Sequence, residues 1–264
     1  MKKIFTLLTL MLCGIACVMA APAEKIYKVT SPDGSLKVEV KLNHKISYTV
    51  YSGDNQLLND CTLSLKLANG EVGFSPRVKK AKTTLVDETV KRPIAMKNAE
   101  VRNHYNLLSL TMDDNYGVEF RVYDTGFAYR FILSKGGEIE VLHEDFTVNF
   151  PANYKAHISR TPRFKTSYEY RYTHTTTEEY GYRDEMNYLP ALLEAPSGEK
   201  ILISEANLRD YPAMFLRSTG NNGMTSIFPK CPIKVEDEGD RSQKILEEAD
   251  YIAKTSGTRD LPWR

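Results

Sequence analysis

The sequence predicts an all-β protein of sandwich or barrel type, and three observations carry that reading. Stretches of strand length alternate apolar and polar residues. Gly, Pro, Asn and Asp punctuate them. No segment holds a long helical period. Ser31-Pro32-Asp33-Gly34 reads as a turn, in which Pro presets φ, Asp caps and Gly accepts positive φ. Residues 35–42 (SLKVEVKL) alternate, as a half-buried strand does, and 46–51 (ISYTVY) are β-branched and aromatic. Asn43-His44-Lys45 forms the hairpin turn between them. Residues 61–67, 105–112, 118–123 and 127–133 alternate in the same way. Asp113-Asp114-Asn115, Thr125-Gly126 and Gly136-Gly137 supply the intervening turns. Residues 173–179 (THTTTEE) suit an exposed loop or a strand edge. Many short strands with little helix argue against an α/β fold. The best helical candidate is 242–253 (SQKILEEADYIA), with Ile245, Leu246, Ala249 and Ile252 near one face and Asp240 or Ser242 as its cap.

Residues 1–20 read as a signal peptide. Lys2 and Lys3 form a positive start, an apolar run follows, and small residues precede Ala21-Pro22. A second reading of the same stretch takes Gly14-Ile15-Ala16-Cys17 as a lipoprotein box, with Cys17 as the anchor. The apolar run is too short for a spanning helix, and no later run reaches that length. Cys61 and Cys231 would remain after export, as a disulfide or as separate thiols. Lys and Arg number 35 against 34 Asp and Glu, a formal charge of +1. That balance gives no footprint for nucleic acid or an anionic membrane.

The segment 201–214 (ILISEANLRDYPAM) carries the sharpest local signal. An apolar strand runs into Glu205, then a turn, then Tyr211-Pro212. A carboxylate at a strand end is held where it can be aimed at a ligand or metal; an ordinary strand-end Glu is the plainer reading. Tyrosines concentrate at 168, 170, 172, 180, 182 and 188, interleaved with Glu169, Glu178, Glu179, Asp184 and Glu185. Such a stretch suits a saccharide or calcium surface, since aromatic faces stack on sugars and carboxylates ligate calcium. Equally, Tyr-x-Tyr-x-Tyr fits an alternating strand with one aromatic face. The histidines at 44, 104, 143, 157 and 174 show no metal-ligand spacing, which argues against a zinc site. No nucleophile elbow, P-loop or dinucleotide fingerprint occurs.

The order of these features resembles the N-terminal domain of glycoside hydrolase family 97. The resemblance rests on SPDG (Ser31 to Gly34), LKVEV, YTV, LSLKL, YDTGFAYRF, TSYEYRY, DEMNYLPALLE, ISEANLRDYPAM and the closing TSGTRDLPWR. It implies a galactose-mutarotase-like β-super-sandwich, mostly antiparallel, over 21–255. Residues 256–264 would start a linker to a (β/α)₈ catalytic barrel absent from this chain. It further implies an exported, periplasmic, calcium-dependent α-glucosidase or α-galactosidase acting on α-linked oligosaccharides, with no catalytic residue in this part. Carried over by position, Ser204, Glu205 and Ala206 match the substrate-pocket edge, with Ser204 where the family commonly has His. Glu185 matches the calcium carboxylate, and Glu169 is the next candidate.

Two further functions compete with that accessory role. One is a stand-alone carbohydrate-binding module using Tyr168, Tyr170 and Tyr172. The other is a scaffolding sandwich with an apolar docking face.

Overall fold

The computed structural model describes residues 25–94, 96–182 and 185–264, with backbone alone at 181 and 182. The expected signal peptide, Cys17 and Asp184 lie outside the described residues. Two meanders build the first half of the chain. β1 (Lys25–Thr30), β2 (Leu36–Leu42), β3 (Ile46–Ser52) and β4 (Asn55–Leu67) pair in order, and β5 (Gly70–Val72) folds back on β4. β6 (Val78–Lys91), β7 (Glu100–Met112), β8 (Tyr116–Tyr123) and β9 (Gly126–Leu133) form the second meander, in a separate sheet. β10 (Glu138–Asn149) then returns to lie beside β4.

β11 (Lys155–Thr161), β12 (Thr173–Thr176), β13 (Met186–Glu194), β14 (Lys200–Ile203), β15 (Phe215–Ser218) and β16 (Gly223–Ile227) extend the first sheet. Its order is β1-β2-β3-β4-β10-β16-β15-β13-β11-β12, with β14 branching from β13. β17 (Pro232–Gly239) and β18 (Ser242–Glu248) pair only with each other. β19 (Ala253–Ser256) joins the start of β10, and β20 (Arg259–Asp260) joins β9 in the small sheet. Among the described residues every strand pairing is antiparallel. The molecule is the expected antiparallel β-sandwich.

Alternation on the strands supplies the core. Tyr116, Val118, Phe120 and Val122 of β8 are buried while their neighbours face outward. Tyr48 of the large sheet meets Phe120 and Tyr129 of the small one at ring separations of 6.1 and 6.3 Å. Tyr129 stacks on Phe146 of β10 at 6.0 Å. Staggered aromatic contacts of this kind join the two sheets into one apolar layer. The Ser31-to-Gly34 turn forms as expected. Asp33 accepts from Ser31 Oγ and from the Ser35 amide and hydroxyl, and these hydrogen bonds lower its carboxyl pKa to about 2.

One expectation changes, and two readings left open by the sequence are decided. The expected helix at 242–253 is instead strand β18, followed by irregular chain. Asp240 and Arg241 both adopt positive φ, 42° and 63°, between paired Gly239 and Ser242. Two such residues make the hairpin turn whose twist matches antiparallel strands. Asp240 therefore closes a hairpin instead of capping a helix. The tyrosines at 168, 170 and 172 lie in irregular chain, and Tyr168 itself has φ of 59°. Cys61 and Cys231 are both free. Cys61 is buried in β4, where desolvation pushes its thiol up to about 12.

Within the segment 256–264, read as the start of a linker, Ser256 ends β19 on the large sheet and the chain from Arg259 onward runs along the small sheet. Leu261 N donates to Phe131 O at 2.9 Å, and Arg264 and Tyr129 exchange backbone hydrogen bonds at 2.9 Å.

Candidate functional site

β14 is four residues long and pairs only with β13, in the register Ala191↔Ile203. Ile203 is buried and Leu202 exposed, as one-sided pairing on a sheet branch dictates. Beyond Ile203 the chain is fixed by two anchors. Ala206 and Trp263 form an antiparallel bridge through hydrogen bonds of 3.0 and 2.9 Å. Asn207 and Asp210, at φ of 58° and 49°, then turn the chain back. That return brings the Met214 amide to donate to Glu205 Oε2 at 3.1 Å.

The second anchor is a charged relay. Arg264 Nη1 donates to Glu205 Oε2 at 2.6 Å. Its Nε and Nη2 donate to the two oxygens of Glu144 at 3.0 and 2.8 Å. Tyr129 Oη donates to Glu144 Oε1 at 3.4 Å. Side-chain exposure falls from 14% at Glu205 to 2% at Glu144 and 0% at Arg264. The relay thus runs from the surface into the aromatic core. A planar guanidinium suits this role, because it serves two carboxylates at once and stays charged when buried. Burial opposes the Arg264 charge, but Glu144 holds its pKa above the ordinary value. Burial raises the Glu205 carboxyl, against the pull of Arg264 and the Met214 amide, with Glu144 adding to the rise.

Ser204 and Ala206 are exposed on this lip, while the Glu205 carboxylate turns inward. A cleft of about 310 Å³ lies against the same segment, lined by Tyr48, Phe146, Leu202, Ser204, Trp263 and Arg264 among others. Its wall is mostly apolar. Neither Glu144, Arg264 nor Trp263 stood out in the sequence as a site residue. The chain's single Trp beside an Arg was a usable signal. Glu144 gave none, since it reads as one more polar residue in an alternating strand.

Glu185 lies immediately before β13, apart from this relay. Its side chain is 41% exposed, and Oε2 is 3.7 Å from Arg160 Nη1 of β11. Glu169 is exposed in irregular chain. Tyr168 packs its ring on Tyr188 and Phe215, with centroids 5.0 and 6.0 Å away. Burial first and the Glu205 charge second raise its phenol, which puts Tyr168 within electrostatic reach of the lip. Among the described residues, no three His, Cys, Asp or Glu side chains converge as a metal cage.

Comparison with known proteins agrees with this architecture. Residues 29–264 match the family model described as glycosyl-hydrolase 97 N-terminal. A retaining alpha-galactosidase of Bacteroides thetaiotaomicron is 30% identical over 277 aligned positions, which cover 100% of this chain and 41% of the relative. A glycoside hydrolase family 97 enzyme from Pseudoalteromonas sp. strain K8, solved with acarbose, superposes with a TM-score of 0.75 at 19% identity. That match covers 90% of this chain and 35% of the enzyme. A beta-arabinopyranosidase structure matches with a TM-score of 0.74 at 20% identity, over 90% of this chain and 39% of that one. The chain thus spans about two-fifths of the curated relative's length. By its sequence match over nearly all of the described residues, the chain belongs to the glycosyl-hydrolase 97 family and constitutes its N-terminal domain.

Proposed function

We propose that this domain forms one wall of the sugar and calcium site of an exported α-glycoside hydrolase. A (β/α)₈ barrel elsewhere in the protein would carry the catalytic carboxylates. The observation that carries the reading is the rigid lip at Ser204 and Ala206. It is exposed, yet fixed on one side by the Ala206–Trp263 bridge and underneath by Glu205–Arg264–Glu144. Groups that touch substrate need such second-layer support. The Glu205 carboxylate is spent on Arg264 and Met214, so Glu205 acts as a positioning residue. Sugar contact then falls to the Ser204 hydroxyl and the exposed backbone around Ala206.

Glu185 suits calcium as a hard oxygen donor held by one long ion pair. It offers one carboxylate toward a shell of about six to eight oxygens, so the remaining ligands would come from the barrel. Calcium bound there would polarise an oxygen of the scissile glycoside, while two barrel carboxylates handle proton and water chemistry. The Lys2-Lys3 start and the apolar run after it support export. α-Galactosides or α-glucosides would be the substrate class, the former in keeping with the name of the curated relative.

A second reading, a stand-alone carbohydrate-binding module, draws on the exposure of Tyr168, Tyr170 and Tyr172. Kinetics separate the two. The purified chain alone should not hydrolyse 4-nitrophenyl α-galactoside or α-glucoside. In the protein carrying its barrel, Ser204→Trp should raise KM at least about tenfold, roughly the loss of one good contact, with an unchanged melting temperature. Turnover by the isolated chain, or unaltered kinetics in Ser204→Trp, would refute the accessory reading. Millimolar binding of maltooligosaccharides that vanishes in Tyr168→Ala would favour the module.

A further inference from the structure

At the edge of the large sheet two histidines face each other. His157 of β11 and His174 of β12 stand directly opposite in the strand register. Their Nδ1 atoms are 2.6 Å apart and their ring centroids 4.8 Å. The other ring nitrogen of His157, Nε2, lies 3.2 Å from Glu194 Oε1 on β13, the strand on the opposite side of β11. Lys200 holds the second oxygen of Glu194 at 3.0 Å.

One pair of tautomers satisfies both contacts. His157 donates Nε2–H to Glu194, which leaves a lone pair on Nδ1. His174 donates Nδ1–H into that lone pair. One proton therefore sits between two imidazole nitrogens, in front of an imidazole oriented by a carboxylate. Metal-binding histidines have this same backing, because the carboxylate fixes the tautomer and strengthens the ligand. We propose that His157 and His174 form a two-imidazole chelate for a late first-row divalent cation of the Zn²⁺, Ni²⁺ or Cu²⁺ kind. The cation replaces the shared proton, which leaves to solvent. Among the described residues no further His, Cys, Asp or Glu completes a cage, so water fills the other positions.

Two bonds of about 2.0–2.1 Å at a tetrahedral angle place the nitrogens about 3.3 Å apart. The rings must separate by less than about 1 Å and tilt so that both Nδ1 lone pairs converge on the ion, a change of side-chain torsions for which exposed His174 has room. Imidazole selects these ions over calcium, which prefers oxygen. The site is therefore independent of the Glu185 reading and of the sugar lip. Its structural effect is local. β12 is four residues long and hydrogen-bonds to β11 alone in the sheet. It leads into the 3₁₀ turn Glu179–Tyr182 just ahead of Glu185. A metal across the two strands pins that edge.

Calorimetry tests this on chelator-stripped protein with ZnCl₂, NiCl₂ and CaCl₂ in turn. One Zn²⁺ or Ni²⁺ per chain is expected, with no heat from CaCl₂ at the same site. His174→Ala should abolish binding and keep its melting temperature in EDTA, since the side chain is exposed. Glu194→Gln should weaken binding about tenfold or more, the usual cost of losing such a carboxylate. Ni²⁺ should broaden the NMR signals of residues around 157 and 174 first. Absence of binding at millimolar Zn²⁺, or binding that survives in His174→Ala, would overturn the proposal.

Discussion

Arg264 shows how much one side chain can organise. It is fully buried, yet it charges the space between Glu144 and Glu205 and closes the lip from beneath. Removing one partner of a buried ion pair strands the other. Glu144→Ala should therefore cost about 3–5 kcal/mol in urea unfolding. Glu205→Gln keeps a hydrogen-bond acceptor near the surface and should cost about 1 kcal/mol. A loss below 1 kcal/mol for Glu144→Ala would mean the relay adds little to stability. pH gives an independent reading of Glu205. Its folded carboxyl is raised above the ordinary 4.5, mainly by burial. A raised group contributes stability below its unfolded pKa and loses it as pH climbs through the folded one. The melting temperature of Glu205→Gln, measured relative to the native chain, should therefore rise as pH climbs from the ordinary 4.5 through the raised folded value. A flat difference would show that Glu205 titrates normally.

At the scale of elements, the β17–β18 hairpin stands apart. It pairs with neither sheet, and Ile233, Val235, Ile245 and Leu246 are exposed on it. Lys165 reaches it, donating to Glu238 at 2.9 Å and to Ser242 at 3.1 Å. A lone two-stranded ribbon is marginal in water. Its amides, those of Val235 and Ile245 for example, should exchange with deuterium far faster than the buried amides of β10. Equal protection would mean the hairpin belongs to the cooperative core. The same hairpin was the least legible element. Ile245, Leu246, Ala249 and Ile252 mimic a helical face, and nothing local says that Asp240 and Arg241 both take positive φ. By contrast β2, β8 and β9 could be read almost to the residue, because each buries alternate side chains against the facing sheet.

Across the whole molecule, both sheets share one core that includes Val40, Tyr48, Phe120, Tyr129, Phe146 and Leu261. The domain should therefore unfold in a single transition, with calorimetric and van't Hoff enthalpies in agreement. Two resolved transitions would show that the small sheet is independent. Ser204, Glu205 and Ala206 could be placed on a strand end from the residues alone, because an apolar run meeting a carboxylate and a turn has few other solutions. The direction of the Glu205 carboxylate was not legible. It depends on Arg264, 59 residues away, and on Glu144, 120 residues from Arg264.

Sequence by itself determined what short-range physics controls. Alternation gave the antiparallel sandwich, Pro, Asp and Gly gave the first turn, and the order of motifs gave the family. Tertiary structure alone decided what depends on distant partners. It ran the chain from Arg259 onward along the small sheet, left Cys61 and Cys231 unpaired, brought His157 against His174, and turned Glu205 inward to Arg264. A strand's period is written in neighbouring residues, whereas a contact across two sheets exists only once the chain has closed on itself.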